Sequence, residues 1–356
     1  MNIIEATQRF EAWQAKLTTL WAPDVRLKHQ RMSEDLFCFL RATYYRWAQL
    51  FPAVCSELTE DVEVLAVGDL HVENFGTWRD VEGRLVWGVN DFDECHPLPF
   101  THDLVRLTVS ALLAIQAGEL SLPPKNASAA ILQGYNACLK VGGRPLVLAD
   151  VSTPLRTMVR HRLNAPEKFW NKMQFYPPLR AAVPKKIWRS IQDLLPDRCI
   201  PLKFVHRVAG LGSLGKPRFT ALGAWRGAPL AREAKALTVS ACRWAEGKCD
   251  GKIHYDKILR RAVRCPDPLV VVCGDWLVRR LSQDCFRIPL DHLPEKRNET
   301  DLLFFMGWET ANIHLGSTEA ARLAKHLRGK PSHWLHEAAA AMREETFRDW
   351  KRWNRG

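Results

Sequence analysis

No stretch of this 356-residue sequence approaches the roughly 18 consecutive apolar residues that a membrane-spanning helix requires. The opening residues, MNIIEATQRFEAWQAKL, carry charge throughout and lack an apolar core ending in small residues. Neither a leader nor an anchor is expected, and the chain reads as cytoplasmic. The ten cysteines, at 38, 55, 95, 138, 199, 242, 249, 265, 273 and 285, form no CxxC pair. Their spacing fits neither a zinc site nor a disulfide framework, so reduced, mostly buried thiols are expected. Internal repeats and low-complexity tracts are missing as well. Acids are the minority charge, 39 Asp and Glu against 51 Lys and Arg, for a net charge of +12. Such a field recruits a polyanion, whether nucleotide, phosphorylated metabolite or nucleic acid, without choosing among them.

What is present supports a large core. Hydrophobic residues make up 47% of the chain, and the length suits two or three domains or one two-lobed unit. Residues 3–52 read as two helices, the second near 31–51 and rich in aromatics. The period then changes to that of strands in DVEVLAVGD, ending at Asp69, and in GRLVWGVND, ending at Asp91, with turn chemistry at Asp80-Val81-Glu82-Gly83 between them. Helical spacing returns at 102–118, 124–140, 153–163 and 184–196, with proline-rich connectors at 175–179 and 194–202. KFVHRVAG, PRFTALGAW and LAREAKAL follow as three strands, then helices near 238–247 and 255–264. LVVVCG and WLVRRL read as a hairpin turning at Gly274-Asp275, and the last 55 residues read as helices broken at Pro331.

Strand ends aim side chains into clefts, so two acids ending two adjacent strands of one hairpin would lie close together. Oxygen donors of this kind suit Mg²⁺, which takes one or two carboxylates and leaves positions for water and phosphate. Asp69 and Asn74 repeat the D-x-x-x-x-N interval of the kinase catalytic loop, in which the Asp accepts the substrate hydroxyl proton and the Asn holds a metal. Asp91-Phe92-Asp93 then stands where the D-F-G acid stands, one hairpin later. Asp91, with Asn74 and Asp93, is the expected metal set. GDLH also matches the G-D-x-H of dimetal phosphoesterases, with His71 as a ligand. That site needs further His and Asp at strand ends, and the other histidines show no such grouping. A hydrogen-bonding prop for the loop is the preferred role of His71.

A kinase-type site also needs phosphate-binding backbone and a lysine. RVAGLGSLGKPRF offers Gly210, Gly212 and Gly215 in a G-x-G-x-x-G turn, with Ser213 inside it. A strand follows this turn, not the helix that a dinucleotide site would require. Lys235, in LAREAKAL, lies twenty residues after Gly215 on a third strand, where a lysine would pair the phosphates. Glu246 is the nearest candidate for its ion-pair partner, with Glu233 a poor second. Arg280, in LVRRLS at the end of the sheet, is a further nucleotide contact, and the helix containing MGWETANIHLGS would pack beneath the hairpin.

The chain resembles the bacterial family known as domain of unknown function 2252, itself similar to a circularly permuted member of the protein-kinase-like superfamily that includes aminoglycoside and choline phosphotransferases. FLRATYY (39–45), GDLHVENFG (68–76), NDFDECHPLPFTHDLVRL (90–107), VAGLGSLG (208–215), EAKAL (233–237), VRRLS (278–282) and ANIHLGS carry the resemblance. It implies an α+β, two-lobed, kinase-like fold in permuted order, which close termini would allow. The expected segments are a helical lobe with the hairpin over 1–200, a sheet-rich nucleotide lobe over 201–282, and helices over 283–356 returning to the first lobe. It also implies that Asp103 braces the catalytic loop. Val67 departs from the His that commonly precedes Gly-Asp, and Ala236 stands where many relatives carry an acid.

The expected activity is ATP- and Mg²⁺-dependent transfer of phosphate to a hydroxyl of an unidentified small molecule or protein. Asp69, Asn74 and Lys235 are the catalytic residues, and the turn, Lys235 and Arg280 bind the nucleotide. A nucleotide-binding scaffold without turnover, and nucleotidyl transfer by the same residues, are the alternatives. The basic charge leaves nucleic acid open as a partner.

Overall fold

A computed structural model describes residues 1–149, 155–159, 166–196, 199–288, 290 and 297–355. Four helices open the chain: α1 (Ile3–Leu17), α2 (Ala22–Glu34), α3 (Leu36–Ala42) and α4 (Tyr44–Val54). The single helix expected near 31–51 is therefore broken twice. Asp35 accepts the amide of Cys38 at 2.7 Å and starts α3, as a side-chain oxygen at a helix N-cap does. Thr43 makes the second break between α3 and α4.

Strands β1 (Glu63–Ala66), β2 (Phe75–Arg79), β3 (Leu85–Val89) and β4 (His96–Pro99) follow, then helices α5 (Phe100–Gln116) and α6 (Pro124–Lys140) and the short strand β5 (Leu146–Val147). Residues 155–159 form the helical turn α7; the rest of the helix expected at 153–163 lies outside the described residues. The pairing corrects the single hairpin expected from sequence. β1 pairs with β4, whereas β2 pairs with β3, so the strands before Asp69 and before Asp91 are not partners. A tight turn selects its own neighbours, and the Asp80–Gly83 turn joins β2 to β3, while a 3₁₀ turn (Val72–Asn74) separates β1 from β2. Two nested ladders result, and the segments crossing between them, 67–74 and 90–95, carry the acids.

Helices α8 (Pro166–Phe175) and α9 (Lys185–Gln192) precede β6 (Ile200–Val205), β7 (Arg218–Trp225) and β8 (Ala228–Ala236). Helices α10 (Ala241–Ala245) and α11 (Tyr255–Arg261) and strands β9 (Val270–Cys273) and β10 (Trp276–Leu281) come next. An antiparallel sheet in the order β6-β7-β8-β10-β9 forms from these strands. Residues of one strand alternate between faces, and here the two faces differ in kind. Phe219, Ala221, Ala234 and Val278 form one face and pack on Ile187 and Ile191 of α9. Met173 of α8 packs against Val205, Leu222, Ala231 and Leu281. Both helices, assigned by sequence position to the segment 1–200, thus lie on the sheet.

Three helices close the chain: α12 (Arg297–His314), α13 (Ala320–Arg328) and α14 (Trp334–Trp353), with Pro331 at the last break. The larger core joins α1, α3 to α6, the nested ladders, α12 and α14 through residues such as Ile3, Phe39, Trp87, Leu104, Ile131, Leu302 and Met342. The first helices meet the last. The indole N–H groups of Trp350 and Trp353 donate to Met32 O and Ser33 Oγ of α2, both at 3.1 Å. Among the described residues no helix is long and apolar enough to cross a membrane.

Candidate functional site

The segment after β1 is fixed from below. Asp103, wholly buried one turn into α5, does not cap its own helix. It accepts the amides of Val67 at 2.7 Å and Gly68 at 2.9 Å and faces His314 of α12 at 3.1 Å. Burial alone would raise its pKa, but His102 and His314 outweigh burial and hold the carboxyl below its usual range. Gly68 is required at the bend. Its φ is +83°, and a Cβ there would stand 2.3 Å from Glu94 O. Asp103→Ala is therefore expected to cost about 3 kcal/mol, because it orphans two buried amides and a histidine; urea unfolding at neutral pH measures it.

Asp69 follows, half covered and gripped by Arg106. The Nε and Nη2 atoms of Arg106 lie 2.9 and 2.5 Å from Asp69 Oδ1. The guanidinium is fully buried, 5.0 Å from the ring of Tyr44 and 4.7 Å from that of Trp47, and also donates to Leu40 O at 2.8 Å. Removal from water raises the Asp69 carboxyl above its usual range, although Arg106 pulls the other way. Asn74 closes the loop by donating its side-chain amide to Asp69 O. Its own carbonyl accepts Asn90 N at 3.0 Å, extending the β2–β3 ladder, so Asn74 and Asp91 leave the hairpin side by side. His71 Nδ1 accepts the amide of Glu73 at 3.2 Å, and burial keeps the ring neutral. It props the turn from within.

Lys235 arrives from β8, 144 positions after Asp91. Its Nζ lies 3.3 Å from Asp91 Oδ1 and 2.7 Å from Asp93 Oδ1, with the side chain 1% exposed. Two carboxylates here face one ammonium. Although burial opposes it, Lys235 and Arg279 hold Asp91 below its usual range, while burial and the neighbouring Asp91 push Asp93 up. Asp93 Oδ2 is buried without a hydrogen-bond partner among the described residues. No group of three or more His, Cys, Asp and Glu able to hold a metal occurs among the described residues. The Asp91 and Asp93 carboxylates with the Asn74 amide are nonetheless an oxygen set that fits Mg²⁺, which needs no more than two carboxylates.

Neither expected partner of Lys235 is its partner. Glu246 pairs instead with His96, Arg243 and Lys248. Glu233 shares the Lys235 face of β8, two residues away, but three arginines from neighbouring strands and the turn surround it. Arg207 Nη1, Arg218 Nη1 and Arg279 Nη2 lie 2.6, 2.7 and 2.9 Å from its oxygens. Register explains the gathering: Lys235 is opposite Arg218, and Glu233 is opposite Thr220 on one side and Arg279 on the other.

The Gly210–Gly215 turn connects β6 to β7 through a 3₁₀ turn (Leu211–Ser213). It lies directly over Asp69. A Cβ on Gly212 would be 3.1 Å from Arg41 O and 3.4 Å from Asp69 Oδ2, so a side chain there would require Arg41 O to give by a few tenths of an ångström. The amides of Ser213, Leu214 and Lys216 are used within the turn, and Arg218 buttresses it by donating to Ala209 O and Ser213 Oγ, both at 3.0 Å.

Two cavities meet here. The smaller, about 40 Å³, is lined by Asp69, Asn74, Asp91, Asp93, Gly212 and Ser213, among others. The larger, about 580 Å³, is lined by Asp91, Lys235, Gly210, Arg207, Arg218 and Arg279. Arg280 also lines it, though its guanidinium is paired with Asp267 at 3.1 Å. Of the residues singled out from sequence, Asp69, Asn74, Asp91, Asp93, Gly210, Gly212, Ser213 and Lys235 converge on the two cavities. Gly215 does not line them. It sits against Val25, and its carbonyl accepts Trp21 N at 2.7 Å. Sequence reasoning missed Arg106 and the arginines around Glu233. Arg106 lies in the quoted HDLVRL run, three residues after Asp103, and that helical spacing was the available signal.

A family model described as "Uncharacterized protein conserved in bacteria (DUF2252)" matches residues 22–142. The matched segment contains Asp69, Asn74, Asp91, Asp93, Asp103 and Arg106, and ends before the glycine-rich turn and Lys235. It agrees with the resemblance to that family drawn from the sequence. No curated protein and no solved structure matches the chain.

Proposed function

We propose that the chain is an ATP- and Mg²⁺-dependent phosphotransferase acting on a hydroxyl, built on a two-lobed kinase-like fold in permuted order. One observation carries the reading: Lys235 of the sheet touches Asp91 and Asp93 of the helical side, beneath a glycine-rich turn that rests on Asp69. Those are the parts phosphoryl transfer needs, namely a base, cation-holding oxygens and positive charge at the phosphates. The larger cavity has the size of a ligand pocket and a cationic wall for a triphosphate. Bound Mg²⁺, held by Asp91, Asp93 and Asn74, would neutralise phosphate charge. Arg106 holds one oxygen of Asp69, leaving Oδ2 on the Gly212 side to receive the hydroxyl proton.

A second reading has one observation in its favour. The space at Asp69 is about 40 Å³ with the turn down, which also suits a nucleotide-binding scaffold without turnover. Intact mass of candidate acceptors and of the protein after incubation with Mg-ATP separates the readings: phosphate added supports transfer, AMP added assigns nucleotidyl transfer, and no addition leaves the scaffold. Asp91→Ala is expected to weaken Mg-nucleotide binding at least about tenfold, since it removes one of two carboxylates from the cation set. Calorimetric titration with and without Mg²⁺ checks it, and unchanged affinity would refute the assignment of Asp91.

A further inference from the structure

We infer that Lys28 and Lys216 form an anion subsite for the acceptor, so that the hydroxyl compound received at Asp69 carries a carboxylate or phosphate group. This rests on the phosphotransfer reading and names the acceptor class it requires. Both lysines line the small cavity that holds Asp69. Lys28, on α2, is 3% exposed, with its Nζ 5.9 Å from the ring of Phe10 and 5.6 Å from that of Tyr45. Lys216 is 6% exposed and donates to Thr238 Oγ1 at 2.9 Å. Among the described residues neither ammonium has a carboxylate at ion-pair distance.

The other charges of the cavity have partners of their own. Arg106 holds Asp69, Lys235 holds Asp91 and Asp93, and Arg41 and Arg287 share Glu73. Glu94 is committed to Ala241 N at 2.7 Å and Ser240 Oγ at 3.1 Å, and burial moves its acid up to about 7. A buried ammonium is costly when its nearest carboxylates, Glu11 and Glu94 for Lys28 and Glu94 and Asp93 for Lys216, act only from beyond ion-pair distance. Burial lowers Lys28 to about 8, which leaves it mostly protonated at neutral pH. An anion supplies the missing charge, whereas a cationic acceptor such as choline or an aminoglycoside would add to the imbalance. The cavity admits an anionic group of a few atoms, comparable to a few waters.

The test uses the full chain, saturated with Mg²⁺ and a non-hydrolysable ATP analogue so that added anions cannot occupy the nucleotide cavity. Glycerate and inorganic phosphate are the anionic probes, with glycerol and choline as neutral and cationic controls. At least one anion is expected to bind saturably, with glycerol and choline at least tenfold weaker. Lys28→Met, which fills the space beside the stacked rings of Phe10 and Tyr45 without charge, should weaken the anion at least tenfold and leave analogue affinity within twofold. Its melting temperature should hold or rise, whereas a merely structural lysine would lower it. Lys216→Met serves as the second variant should Lys28→Met not fold. Anion binding unchanged in the variants, or choline preferred over both anions, overturns the subsite. Failure of the analogue to bind counts against the phosphotransfer reading instead, and anion titrations of the unliganded wild type and variants then judge the lysines.

Discussion

Asp69→Asn is expected to lower phosphoryl transfer about 10²- to 10⁴-fold, the usual worth of a positioned proton acceptor, while Mg-nucleotide affinity stays within about twofold. The amide keeps the shape of the side chain but cannot take a proton from the acceptor. Its effect on binding is small because Asp69 lines the small cavity, whereas Lys235 and the arginines line the large one. The variant also leaves Arg106 buried between Tyr44 and Trp47 with no carboxylate. Some stability is lost with it, so circular dichroism and nucleotide titration must show a folded, binding-competent chain before rates are compared. Turnover close to wild type in a folded variant would remove Asp69 from the base role, and with it the phosphotransfer reading.

Glu233→Gln should show the largest loss of stability. A single buried carboxylate balances Arg207, Arg218 and Arg279, and its removal strands three guanidinium groups at the edge of a cavity. Breaking a buried ion pair costs about 3–5 kcal/mol, and three partners place this substitution at the upper end of that range. The pH dependence follows from the direction of the shift. Burial would raise the Glu233 acid, but Arg218, Arg207 and Arg279 outweigh burial and hold it well below its usual value. A depressed folded value stabilises the protein above the unfolded value of about 4.3, and this contribution is lost as pH falls through the folded value. The difference in unfolding free energy between wild type and Glu233→Gln should therefore be constant at neutral pH and shrink below about pH 4.3. Urea unfolding of both proteins from pH 7 to pH 3 measures it. A difference that does not change with pH would mean that the arginines are not paired with an ionised Glu233.

Local pattern was enough to locate most of the candidate residues. Alternation marks β6, β7 and β8, and Gly274-Asp275 marks the β9–β10 turn, because strand period and turn chemistry are properties of neighbours in sequence. Asp69, Asn74 and Asp91 were legible for a similar reason, since each lies at a fixed interval from a change of period. Pairing was less legible. The spacing of β1, β2 and β3 fits a hairpin across Asp69 and Asp91 as well as it fits the nested ladders, and the choice rests on the 3₁₀ turn at Val72–Asn74 and on β4. Charge partners were least legible. Glu246 is near Lys235 along the chain, but α10 turns it toward His96 and Arg243. Arg218 and Arg279 meet only because β7 and β10 flank β8 in one register, and Arg207 joins them from the connection after β6.

The amino-acid sequence alone determined the type of most elements, though not β4, β5 or α8, together with the clustering of acids between residues 69 and 93 and the glycine-rich turn followed by Lys235, because each depends on side chains within a few positions of one another. Tertiary structure decided that Asp91 lies against Lys235, that Arg106 grips Asp69, and that Lys28 and Lys216 face the same cavity with no carboxylate at ion-pair distance among the described residues. Those outcomes depend on which strands pair and which helices cover them, and charges separated by tens or hundreds of positions take their partners from the packing.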